Sequence, residues 1–126
     1  MKTMKAWLPI AAFVVWSGVA MAQSMPPGVA VKGGVLTNAG GMTLYTFDKD
    51  SAGKSACNGP CAANWPPVMA SGEAKAMGDW TIVTRDDGGK QWAYKGKPLY
   101  LWIKDTKPGD MTGEGVANNT WHVAKQ

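Results

Sequence analysis

The sequence predicts an all-β domain made of two pseudo-symmetric β-hairpin repeats, and three observations carry that prediction. Turn signals break the chain every 8 to 15 residues, the intervals expected of short strands. The segments between the breaks are rich in β-branched and aromatic residues. A seven-residue phrase, LYTFDKD at 44–50, returns as LYLWIKD at 99–105.

The chain opens with a basic start, Lys2 and Lys5, followed by an uncharged apolar run over 6–19 and the small-x-small triplet Ala20-Met21-Ala22. This is the pattern of a secretory signal peptide, with cleavage expected after Ala22. The run is shorter than the roughly 20 residues a spanning helix requires, so no membrane anchor is expected after cleavage. Residues 23–126 then form one small domain, with repeat one over about 29–70 and repeat two over about 80–124. Strands are predicted at 35–37, 42–47, 80–84, 91–94, 99–103 and 120–123. Asn38-Ala39-Gly40-Gly41, Asp86-Asp87-Gly88-Gly89 and Lys95-Gly96-Lys97-Pro98 are each placed to turn one strand into the next. A short helical turn near the cysteine pair is predicted within 56–65, because Pro66-Pro67 must end any helix there.

The repetition runs beyond the seven-residue phrase. Gly41 and Gly96, Leu44 and Leu99, Tyr45 and Tyr100, Phe47 and Trp102, and Asp50 and Asp105 are all 55 residues apart, while Trp65 and Trp121 are 56 apart. A single hairpin buries too little surface to stand alone, so the two copies are expected to pack together. Tyrosine and the aromatic two positions on share one face of a strand, which sends Tyr45, Phe47, Tyr100 and Trp102 toward a core, with Trp65 and Trp121 as further core aromatics. Asp50 and Asp105 head loops, where a carboxylate accepts backbone N–H groups or a buried tyrosine hydroxyl. In that structural reading, Asp50→Ala and Asp105→Ala each lower stability by roughly 1 to 3 kcal/mol. A ligand-binding reading instead has Tyr45 with Asp50 and Tyr100 with Asp105 lining two equivalent pockets, or the two aspartates meeting across the pseudo-twofold around a calcium or magnesium ion.

The chain resembles a family of exported bacterial repeat proteins, many of them lipoproteins, described by a Yx(F/W/Y)xxD motif and of uncharacterised function. Residues 45–50 and 100–105 both fit the motif, and CNGPCAANWPPV at 57–68 is similar to the family's cysteine and tryptophan segment. The resemblance covers the mature chain and implies export and a duplicated architecture, with no activity attached. No cysteine follows the signal peptide, so lipid attachment is not implied.

Composition excludes several classes of function. Without Lys2 and Lys5, eleven basic residues face nine acidic ones, and the lysines form no stripe interleaved with aromatics, so nucleic acid is not an expected partner. Export to a periplasmic or extracellular compartment favours a disulfide between Cys57 and Cys61 around the turn Asn58-Gly59-Pro60. Such a small ring pins one loop, contributing about 2 kcal/mol. The alternative is a thiol-redox or copper(I) protein using Cys57 and Cys61, with His122 or a methionine as a further ligand. DKDSAG at 48–53 opens like a calcium loop, but Gly59 stands where a bidentate glutamate belongs, which excludes an EF-hand. No nucleophile, zinc or phosphate-loop motif is present, and the adjacent pair Asp86-Asp87 reads as a solvated turn. The expectation is therefore a non-enzymatic binding or interaction module without a cofactor or metal, its partner an unidentified protein or small molecule.

Overall fold

The computed structural model describes residues 25–126, so the predicted signal peptide lies outside the described residues. Strands β1 (Val29–Lys32) and β2 (Val35–Asn38) form a hairpin around Gly33-Gly34. Both glycines have positive φ, 60° and 85°, which is what a two-residue turn matched to strand twist demands. After β3 (Tyr45–Phe47) the chain enters the loop that carries α1 (Pro60–Asn64), with proline in the first turn, where its missing N–H costs no helical hydrogen bond. The second copy supplies the hairpin β4 (Trp80–Thr84) and β5 (Lys90–Tyr94), then β6 (Lys97–Pro98), a turn at Val116–Asn119 (α2) and β7 (Trp121–Val123). Helix α2 is irregular: Ala117, Asn118 and Asn119 all have positive φ, 59°, 61° and 68°. Among the described residues no helix is long and apolar enough to cross a membrane.

The two copies do not sit side by side; each lends its closing segment to the other. Strand β7, from repeat two, pairs antiparallel with β3 of repeat one, and Val35 bridges to Lys125. In the same manner Pro67, from repeat one, bridges Tyr100, and Met69 bridges Gln91. The hydrogen bonds match: Leu36 N–H donates to Ala124 C=O at 3.0 Å as Trp92 N–H does to Val68 C=O at 2.8 Å. At the centre Tyr45 and Tyr100 exchange backbone bonds of 2.8 and 2.9 Å, which marks the pseudo-twofold. Neither half completes its sheet without the other.

Two apolar clusters result. One joins Leu36 and Leu44 of repeat one to Trp80, Trp92 and Leu99 of repeat two. The other is aromatic and centred on the pseudo-axis: Trp65 and Trp121 stack at 3.7 Å with planes 2° apart, and the stack extends to Trp102 at 3.9 Å on one side and Phe47 at 4.2 Å on the other. Tyr45 meets Trp65 edge-on at 5.3 Å, and Tyr100 meets Trp121 at 5.1 Å. Edge-to-face and offset contacts of this kind add to the area the rings bury.

Several predicted elements are corrected. The strand expected at 42–47 is regular only over Tyr45–Phe47, because the glycine turn before it leaves Thr43 a single bridge to Thr37. The strand expected at 99–103 is not one; the short partner of β5 is Lys97–Pro98, and Tyr100 makes isolated bridges to Tyr45 and Pro67. The expected four-residue turn at 95–98 is therefore only Lys95-Gly96, with φ of 52° and 85°. Strand β1 and helix α2 had no predicted counterpart.

Candidate functional site

The motif aspartates are reached from the opposite copy. Tyr45 O–H donates to Asp105 Oδ2 at 2.6 Å, and Tyr100 O–H donates to Asp50 Oδ2 at 2.7 Å. The pairs expected to line two pockets, Tyr45 with Asp50 and Tyr100 with Asp105, are not the pairs formed; strand exchange crosses them. Each carboxylate also ties down its own loop, Asp50 Oδ1 accepting Ala56 N–H at 2.7 Å and Asp105 Oδ1 accepting Thr112 N–H at 3.0 Å and its hydroxyl at 2.7 Å. Burial pushes both tyrosine hydroxyls well above their ordinary range, so they stay protonated donors. Burial likewise raises Asp50, opposed by the bonds from Tyr100 and Ala56. All six motif residues are thus engaged in the interlock, Asp50 and Asp105 each bonded to the tyrosine of the other copy.

Residue Arg85, the chain's single arginine, extends the network and had no role in the sequence reading. Its buried guanidinium donates to Ser55 Oγ at 3.0 Å, Gln91 Oε1 at 2.8 Å and Cys57 C=O at 2.6 Å. Ser55 Oγ lies 2.6 Å from Tyr100 OH, so a relay of polar groups runs from Arg85 to Asp50. The Cys57–Cys61 disulfide closes the loop that presents the Cys57 carbonyl, and Cys57 is fully buried. Both sulfurs are bonded to one another and both ring nitrogens of His122 are occupied elsewhere, so the alternative ligand set of Cys57, Cys61 and His122 is not assembled. Among the described residues no three His, Cys, Asp or Glu side chains converge to hold a metal.

The open chemistry lies on one flank of the β3–β7 pair. A cleft of about 710 Å³ is lined by Thr46 and Asp48 of repeat one, by Lys95, Lys97, Met111 and Glu114 of repeat two, and by His122 and Lys125 at the C-terminal end. A smaller recess of about 330 Å³ adjoins it, sharing Thr46, Asp48, Lys95 and Lys97. At the wall of the cleft His122 is clamped: Nδ1 lies 2.9 Å from Glu114 Oε2 and Nε2 lies 3.0 Å from Asp48 Oδ2. Glu114 is itself fixed by Val123 N–H, which donates to Oε1 at 2.8 Å. The sequence did not name these partners of His122, which are 8 and 74 residues away. One signal was present: the repeated phrase differs at Thr46/Leu101, Phe47/Trp102 and Asp48/Ile103, and two of these, Thr46 and Asp48, line the cleft.

The clamp gives a pH dependence whose sign is fixed. The hydrogen bond with Glu114 holds His122 above its ordinary 6.5, Asp48 adding to it, and Val123 N–H and then His122 hold Glu114 below its ordinary 4.5. A histidine raised on folding stabilises fully below its unfolded value, and that contribution is lost as pH rises through the folded value; a lowered glutamate stabilises above its unfolded value and loses that on acidification. The cluster therefore favours the fold most between about 4.5 and 6.5. Urea midpoints of the parent are expected to fall between pH 6 and 8, and His122→Gln to remove that component. A variant with the parent's full pH slope would place its origin elsewhere.

No curated protein and no solved structure matches the chain. A family model does, twice, over residues 29–69 and 81–125, the two interlocked copies of the fold. By that match the chain belongs to the Lipoprotein_15 family, a secreted repeat of unknown function.

Proposed function

We propose that the protein is an exported, non-enzymatic binding module whose ligand occupies the cleft beside the β3–β7 pair. The observation that carries this reading is the clamped His122: a rigid polar group set in the wall of a concavity of about 710 Å³, within the size range of small-molecule sites. The rest of the polar apparatus is inward-facing and occupied, as the motif tyrosines and aspartates are consumed by the interlock. A histidine with a carboxylate at each nitrogen is a fixed recognition element and a poor general base, since neither nitrogen is free to take a substrate proton. Grouping on one flank also matters. Counting 55 or 56 residues between copies, the counterparts of Thr46, Asp48 and His122 are Leu101, Ile103 and Pro66, so the opposite flank carries no equivalent charges and one site per chain is expected.

Thermal-shift measurements on the mature protein with a library of neutral and charged small molecules test the reading. At least one compound is expected to raise the melting temperature, and Thr46→Trp, which fills the cleft, is expected to abolish that rise. Stabilisation that survives Thr46→Trp, or none across the library, refutes the cleft as the site.

A further inference from the structure

The chemistry of the cleft's charged groups narrows the ligand, on the reading that the cleft is the binding site. Lys95, Lys97 and Lys125 all line it, from the β5–β6 turn, from β6 and from the C-terminal segment. None of the three lies within ion-pairing distance of a carboxylate among the described residues, whereas Lys54 and Lys107 are each paired with an aspartate. The two acidic residues of the cleft, Asp48 and Glu114, are both turned onto His122. Three lysines and His122 thus stand against two carboxylates in the lining, a surplus of positive charge in a concave surface.

Residue Lys95 gives an independent indication. With φ of 52° beside Gly96 at 85°, it occupies the first position of a two-residue turn that favours Asn, Asp or Gly. The first position of the two-residue turn between β1 and β2 is held by Gly33. Lysine has no local advantage in the left-handed region; its ammonium lies 5.3 Å from the Tyr94 ring, directed along the cleft lining. A residue poorly suited to its backbone, kept at the mouth of a cavity, is the kind of local cost found at binding sites.

We propose that the cleft binds a small organic polyanion, a molecule bearing two or more carboxylate, phosphate or sulfate groups, with Lys95, Lys97 and Lys125 as its charge contacts. Lysines supply separable point charges on flexible stems, unlike the forked guanidinium that grips one planar anion, so they suit charges spread over a molecule. Leu99, Val123 and Ala124 contribute apolar surface against the ligand body, and the clamped imidazole forms part of one wall. The opposite flank, with Leu101, Ile103 and Pro66 in the equivalent positions, is excluded, so binding is expected at one equivalent per chain.

The test is titration of the isotope-labelled mature protein with citrate and with pyrophosphate, followed by amide shifts, beside sucrose, spermidine and phosphatidylglycerol vesicles. Citrate or pyrophosphate is expected to shift amides of Thr46, Lys95, Lys97, His122 and Lys125, with affinity falling as salt rises from 50 to 200 mM. The triple variant Lys95→Gln/Lys97→Gln/Lys125→Gln is expected to weaken that affinity by about 10-fold or more, each exposed charge contributing modestly. Lys95→Asn is expected to weaken it while leaving the melting temperature at or above the parent's, which a merely structural lysine would not do. Cleft shifts with sucrose or spermidine alone would overturn the polyanion assignment and leave the cleft reading standing. Vesicle binding without response to either soluble anion would also overturn it, and silence of the cleft amides toward every probe would count against both.

Discussion

Trp121→Ala is expected to lower the stability of the domain by about 4 kcal/mol, the cost of deleting a buried indole from a packed core. The ring contacts Trp65 on one face and Phe47 on the other, and Tyr100 meets its edge. It is also the residue through which repeat two's closing strand enters repeat one's sheet, opposite Phe47 in the register. A chain of this size has about 5 to 15 kcal/mol in hand, so the variant should melt roughly 20 °C below the parent. Phe47→Ala provides the comparison: it removes a half-buried ring at the end of the stack and should cost about half as much. Equal losses for the two, by urea titration, would mean that the stack is no common core and that the interlock is held elsewhere.

The legibility of this fold in its sequence divides along a physical line. Local information was readable: alternation puts Tyr45 and Phe47 on one strand face, Asp86-Asp87-Gly88-Gly89 marks the β4–β5 hairpin, and prolines after Trp65 stop α1. The duplication was readable because the same residues recur at 55 or 56. The choice of partner was not. A repeat spacing says that two tyrosines and two aspartates occupy equivalent places, yet it is equally consistent with pairing inside a copy or between copies. The exchange of closing strands decides between them, and that exchange resides in register, with Val35 against Lys125 and Met69 against Gln91. The same limit hid the clamp, since His122 gains its meaning from Asp48 and Glu114 only once β7 lies beside β3. Arg85 offered one cue, as the single arginine among twelve lysines: a planar group with five donors suits the buried set of acceptors it meets.

Asp105→Ala is expected to cost about 3 kcal/mol, at the upper end of the loss expected for either motif aspartate. Asp105 is 7% exposed, and its removal strands three donors: the Tyr45 hydroxyl, the Thr112 N–H and the Thr112 hydroxyl. The Tyr45 hydroxyl additionally accepts Gly113 N–H at 3.1 Å, and a Cβ on Gly113 would meet Trp65 at 2.8 Å, so the segment that Asp105 ties down is packed closely against the aromatic cluster. Asp50→Ala should cost less, about 1 to 2 kcal/mol, because Asp50 is half-buried and Tyr100 keeps Ser55 as a partner. The pairing itself is read by double-mutant cycles. Tyr45→Phe combined with Asp105→Ala should be non-additive by about 1 kcal/mol or more, whereas Tyr45→Phe combined with Asp50→Ala should be additive within a few tenths. Coupling within a copy in place of coupling between copies would mean that each repeat closes on its own carboxylate, and the exchanged architecture, with the cleft that β7 forms against β3, would fall together.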